Sequence, residues 1–288
     1  MTARGILIGG AALLALAAAC GGGRWTGRAA AQDAPAQGAT AHGAPAQAGG
    51  ALPIPPVPPR IAEGAEYDRC LDRLDTDPAE AAAFADAWEA TGGGEGATHC
   101  HALALVAQGD MADGAQKLQT LAAGSRAPAA ARAAVFGQAA QAWLLAGDAG
   151  HSFAAATLAL SLAPDDPDLL IARANAAANM ERYHEALDDL GRALDRDPRR
   201  TDALVLRAAA WRHLGQLDLA QDDVERALAA DPEDPEALLE RGVLRQRRGD
   251  PAGARADWER AVELAPDTPA GELAQQNLAL LDAGPERR

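Results

Sequence analysis

Apolar side chains return every three or four positions along Thr201 to Leu214 and again along Leu217 to Ala230, with Gly215-Gln216 between the two runs. That spacing predicts two antiparallel helices joined by a tight turn. The pattern then repeats at an interval of 34 residues. Pro164, Pro198, Pro232 and Pro266 share one phase, as do Ala159, Ala193, Ala227 and Ala261. Leu160, Leu194, Leu228 and Val262 share another, and the turn position reads Gly147, Glu181, Gly215 and Gly249. A fixed period of this size means stacked helical hairpins, each unable to bury its apolar face without neighbours.

Upstream, Phe136, Ala140, Trp143, Ala159 and Pro164 fit a degenerate unit, with Ser152 at a position where the other units have Ala. Cys100 to Ala123, turning at Gly109-Asp110, reads as a further pair whose phase has drifted. Glu66 to Ala90, broken at Asp77-Pro78, adds another, and Ala270 to Asp282 reads as a helix that solvates the last hairpin. About thirteen helices are expected.

Composition narrows the core and the partners. Apolar residues make up 48% of the chain but aromatic ones only 3%, so alanine carries the packing and helices must approach closely. The formal charge of -15, from 26 basic and 41 acidic residues, excludes a nucleic-acid backbone as partner, which would need clustered positive charge.

The register resembles the tetratricopeptide repeat family, whose unit carries a large and a small residue on its first helix, then Ala and a larger residue on its second, then Pro. In the clearest unit these fall on Leu204, Ala208 and Trp211, then Ala220, Val224, Ala227 and Pro232. The preceding unit offers Leu170, Ala174, Ala177, Ala186, Leu190, Ala193 and Pro198; the following one Leu238, Gly242, Arg245, Ala254, Trp258, Ala261 and Pro266. The resemblance implies an all-α, right-handed superhelical solenoid of hairpins with a C-terminal capping helix. Its repeats would occupy 129–164, 167–200, 201–234 and 235–268 within 129–285, followed by a cap at 270–282 and preceded by atypical hairpins over 62–128. In similar repeats, ligands touch the inner face of each first helix. Those positions here are Asn175 and Asn179, then Arg212 and His213, then Gln246 and Arg247. Amides at such positions can clamp a peptide backbone or terminal carboxylate, and Arg can pair with an acidic side chain.

A second register departs from the minimal motif. Arg173, Arg207 and Arg241 recur on first helices, in phase with Asp189, Asp223 and Asp257 on second helices. An Arg–Asp pair inside each unit follows, although Arg192, Arg226 and Arg260, three residues after those aspartates, compete for the same carboxylates. Either arrangement is structural. Catalytic constellations are hard to find: consecutive His99, Cys100 and His101 point about 100° apart on a helix and cannot converge on one ion. His184 and His213 read as surface or groove residues. Ser125, Ser152 and Ser161 lie in no nucleophile elbow, and Asp165-Asp166-Pro167-Asp168 reads as a helix cap rather than a calcium loop. The expectation is a non-enzymatic protein with no catalytic residues, metal or cofactor.

The N-terminus has a different character. Arg4 precedes an uncharged stretch from Ile6 to Ala19, too short to span a bilayer comfortably, so residues 1–20 read as an export signal. Leu16-Ala17-Ala18-Ala19-Cys20 resembles the lipobox of bacterial lipoproteins, which implies acylation of Cys20 and, with Gly21 following, an outer-membrane anchor. The departure is Ala17, where that family prefers Leu. Cleavage at an Ala-x-Ala site and an uncleaved anchor are the other two readings. Residues 21–61, rich in Ala, Gly and Gln and ending in Pro53 to Pro59, read as a linker. With Cys20 consumed, Cys70 and Cys100 remain as an even pair in a compartment where disulfides persist; two buried free thiols are the alternative.

These features together point to an exported, lipid-tethered scaffold or adaptor of the bacterial envelope. Its partner would be another envelope protein or peptide, acidic or C-terminal in character. Two other expectations stand beside it: a periplasmic redox or ligand-binding protein using the Cys70/Cys100 region, and a self-associating structural protein.

Overall fold

Asp, Gly and Pro set the helix boundaries in this protein. The computed structural model describes residues 60–74 and 76–283, so Cys20, the signal segment, nearly all of the linker and the last residues of the expected repeat region lie outside them. Among the described residues there are thirteen helices and no strand. They are α1 Ala65–Leu74, α2 Pro78–Ala90, α3 Gly94–Gln108, α4 Met111–Gly124, α5 Ala129–Leu145, α6 Ala149–Leu162 and α7 Pro167–Asn179. There follow α8 Tyr183–Arg196, α9 Thr201–His213, α10 Leu217–Ala230, α11 Pro235–Arg247, α12 Pro251–Leu264 and α13 Pro269–Ala283. The largest departure from the expected boundaries is at α3, which starts at Gly94 rather than Cys100; the others, such as α13 with one more residue at each end than 270–282, differ by a single residue. Gly94 and Gly96 lack the apolar signal that marks a helix start, which hid the first turn of α3.

The caps follow the usual chemistry. Asp77, Asp166 and Asp234 each accept two backbone N–H bonds from the helix that follows, and each precedes a Pro in the first turn, where no N–H is missed. Asp148 and Asp250 cap α6 and α12 through the N–H groups of His151 and Gly253. Between the helices of a pair, Gly109, Gly147, Gly215 and Gly249 take the left-handed conformation that glycine reaches without steric cost. Glu181 holds the same place with φ 61°, the one non-glycine among the described residues to do so.

Each helix packs on its successor along the whole series. Odd-numbered helices also pack on the next odd-numbered helix, as α5 on α7, α7 on α9, α9 on α11 and α11 on α13; even-numbered helices have no comparable mutual packing. The stack is therefore tighter along its odd side, which makes that side the inner face. Its core runs without a break from Ile61 and Tyr67 to Ala270 and Ala274 and is paved with alanine. Each Ala buries little area, so the contributions are small and many.

Larger side chains are fitted individually. The Trp258 indole is fully buried on α12 and donates to the Leu239 carbonyl at 3.2 Å. A Cβ at Gly242 would overlap that ring, which explains why the position that is Ala174 and Ala208 elsewhere is glycine here. A small separate cluster of Cys70, Ala85 and Cys100, flanked by Leu74 and Phe84, sits at the N-terminal end. There Cys70 on α1 and Cys100 on α3 form a disulfide, with their Cα atoms 6.2 Å apart. Among the described residues no helix is long and apolar enough to cross a membrane.

Candidate functional site

The inner face begins with what fixes its helices. Arg173 grips Asp189 through two parallel bonds of 2.7 Å, Arg207 grips Asp223 in the same way, and Arg241 grips Asp257 at 3.0 and 2.7 Å. All three aspartates are buried, so each pair ties the first helix of a hairpin to the second and leaves no bare charge inside. The competing same-helix pairs are additional rather than alternative. Arg226 reaches Asp223 at 3.1 Å and Arg192 comes within 3.8 Å of Asp189, because an ionised carboxylate has room for several donors. Arg260 departs from the register and pairs with Glu233 and Glu263. Arg192 and Arg226 have a further role that spacing did not reveal: they donate to the carbonyls of Pro164 and Pro198 at 2.8 Å, tying each unit to the one before it.

The six expected groove residues do not behave alike. Asn175 is buried, and Asn179 donates its amide to the side-chain and main-chain oxygens of Asn175 at 3.0 and 2.9 Å. The two side chains are thus tied together, which draws the Asn179 amide nitrogen and the Asn175 oxygen away from a ligand. Arg212 on α9 is also committed: its Nε donates to Glu240 of α11 at 2.5 Å, and both side chains are largely shielded. His213 is exposed and lies flat on Tyr183, with ring centroids 4.7 Å apart and the Tyr183 hydroxyl 3.1 Å from Nδ1. Gln246 and Arg247 at the end of α11 are exposed, and Arg247 has no ion-pair partner among the described residues.

Charge around this cluster is uneven. Burial pushes the Glu240 carboxyl up, while Arg212 and Arg247 oppose that push. His213 is held below the ordinary imidazole value by partial burial and then by Arg212 and Arg247, so it is neutral near pH 7. Glu181 also acts on His213, so two guanidinium groups share the cluster with two carboxylates, and Arg247 is the cation left without an ion-pair partner among the described residues. Sequence reasoning missed Tyr183 and Glu240. The former begins a second helix and the latter belongs to no register that recurs along the chain, so only stacking α8 on α9 and α9 on α11 brings them in.

At the near end of the same face, Arg200 bridges Asp168 and Asp202 at 2.5 and 2.9 Å. Glu236, one period further on, has no ion-pair partner among the described residues. Burial, then Asp234 and Asp202, push its carboxyl up to about 7.

His99, Cys100 and His101 turn to three different partners. Cys100 is in the disulfide, and buried His99 bridges Tyr67 and Gln138 at 2.6 and 2.7 Å. His101 meets Asp86 at 2.8 Å, with Glu89 close enough to complete a trio of ligand type, but the Lys117 ammonium lies 3.0 Å from His101 Nδ1 and supplies the cation that this cluster attracts.

A model of the tetratricopeptide repeat family matches residues 171–220 and 214–269, which takes in α8 to α12 and most of α7. Among solved structures, the Cut9–Hcn1 hetero-tetramer of the APC/C is similar with TM-score 0.57 at 15% identity, over 74% of this chain and 42% of that one. TTC0263, a tetratricopeptide protein of Thermus thermophilus, has TM-score 0.54 at 18% identity over 66% of this chain and 99% of its own. A MamA variant from RS-1 has TM-score 0.50 at 18% identity, over 59% and 93%. The fold is a tetratricopeptide-type solenoid. No curated protein matches the chain. At these identities the structural likeness speaks for the fold, and the residues of the inner face must be argued on their own.

Proposed function

We propose that this protein is an exported, lipid-tethered adaptor of the cell envelope that docks a protein partner through an acidic or C-terminal segment on the inner face of its tetratricopeptide stack. The observation that carries the reading is the cluster at the ends of α9 and α11: exposed Arg247 and His213, with Arg212 behind them. A carboxylate approaching Arg247 would meet an unsatisfied guanidinium fork, and the stacked Tyr183–His213 pair offers a flat apolar surface beside it. Export and anchoring rest on the Ile6–Ala19 stretch and Cys20 alone.

Arg212 is unsuitable for the binding test. Removing it would strand buried Glu240 and cost on the order of 3–5 kcal/mol, confusing unfolding with lost capture. Arg247, exposed and without an ion pair among the described residues, can be neutralised at much smaller cost, because Arg212 remains to pair with Glu240. Fluorescence anisotropy with acidic peptides, each prepared with a free and an amidated C-terminus, should show tighter binding of the free carboxylate. Arg247→Gln should weaken that binding at least tenfold with only a small fall in melting temperature, because Arg212 still pairs with Glu240. Equal binding by both peptide forms and by the variant would refute the reading.

A further inference from the structure

The contacts along the inner face are interrupted once. α1 packs on α3 and α5 on α7, but α3 and α5 approach each other less closely. A half-open pocket of about 220 Å³ lies there, lined by Ile61, Leu71, Leu103, Ala134 and Val135, with Tyr67, His99 and Gln138 forming its polar end. It is remote in sequence from the Arg247 cluster and shares no residue with it.

The polar end has a defined direction. Gln138 Oε1 can only accept, so His99 Nε2, 2.7 Å away, must carry the hydrogen. His99 Nδ1 is then an acceptor and takes the Tyr67 hydroxyl proton across 2.6 Å. Burial favours this neutral imidazole over the charged form, and it also keeps the Tyr67 phenol protonated, with its pKa pushed up to about 12. With the chain of protons assigned, the groups left over are the two N–H donors of the Gln138 amide. At the mouth, Arg60 uses Nη1 to hold Asp68 at 2.7 Å, its one side-chain bond among the described residues. The pocket therefore combines apolar walls with donors and lacks a free acceptor at its polar end other than the Tyr67 oxygen.

Size limits the occupant. The volume is below the roughly 300–1,000 Å³ of drug-sized sites and suits about seven to ten non-hydrogen atoms. We propose that this pocket binds a small molecule with an aliphatic or aromatic body of six to eight carbons and a carbonyl or carboxylate oxygen at one end, the oxygen accepting from Gln138. The Cys70–Cys100 disulfide fixes the two walls against each other, since Cys70 lies one turn after Tyr67 on α1 and Cys100 follows His99 on α3.

The test is an amide-resolved NMR titration of the oxidised full chain with hexanamide, hexanoate and hexylammonium, which share one body and differ in their polar end. Hexanamide or hexanoate should produce saturable shifts at residues 67–71, 99–103 and 131–138, and hexylammonium should bind at least tenfold more weakly. Gln138→Leu should weaken hexanamide about two- to tenfold, the worth of a neutral hydrogen bond. Ala134→Phe, at an exposed position on the rim, should abolish the shifts without lowering the melting temperature; Ala134→Leu serves the same purpose should the larger ring prevent folding. Absence of saturable shifts with both oxygen-bearing probes, equal binding of hexylammonium, or shifts that survive a folded rim variant would overturn the proposal.

Discussion

Glu181 is the residue with the most to gain from replacement. It occupies the turn between α7 and α8 with φ 61°, at the position where the other turns of the same period have Gly147, Gly215 and Gly249. A side chain in that region costs about 1–2 kcal/mol, and glycine returns part of this through its freer unfolded chain. Glu181→Gly should raise the free energy of unfolding by about 0.5–1 kcal/mol in urea titration; an unchanged or lower value would mean that Glu181 is not strained there. Glu236 makes a separate prediction. Its carboxyl is pushed up to about 7 in the fold, from an ordinary value of 4.5. Between those values the unfolded chain releases a proton that the folded chain keeps, so its stabilising contribution is present below pH 4.5 and is lost as pH rises to 7. Glu236→Gln should raise the melting temperature at pH 8 and leave it nearly unchanged at pH 4. A gain of equal size at both values would place the cause elsewhere.

At the scale of helix pairs, the Arg–Asp ties divide the acidic residues into two kinds. Asp223 is buried and receives Arg207 and Arg226, whereas its neighbour Asp222 is exposed. Asp223→Ala should destabilise the protein by about 2–3 kcal/mol by leaving the partly buried Arg207 guanidinium without its partner, against less than about 0.5 kcal/mol for Asp222→Ala. Equal losses in thermal melts would refute the pairing. This tie was legible in the sequence because Arg and Asp recur in two phases of one period, and so were the helix pairs, because Pro, Gly and small residues mark them. The groove was less legible. Spacing placed Asn175, Arg212 and Arg247 on one face, but Asn179 donates to the Asn175 oxygens and Glu240 accepts from Arg212. Glu240 lies outside the repeat's shared pattern, and the pattern gives Asn179 its place on the face without showing that it turns to Asn175. The start of α3 was hidden for a related reason, since Gly94 and Gly96 carry no periodic signal.

Taken whole, a stack held by neighbour contacts should lose structure locally before it loses it everywhere. The disulfide spans 30 residues and joins α1 to α3 in a cluster apart from the main core. In the chain-entropy picture, opening a loop of that length removes about 3–4 kcal/mol. Reduction should therefore increase hydrogen exchange in α1 to α3 and leave α7 to α12 protected; uniform loss of protection would show that the molecule unfolds as one unit. The proposed docking role belongs to this scale too, because its surface exists only where successive first helices align. Its most direct test is chemical-shift mapping of an acidic peptide with a free C-terminus on the labelled protein. The account predicts the largest changes at Asn179, Tyr183, His213, Gln246 and Arg247; changes concentrated on α10 and α12, or no saturable change at all, would contradict it.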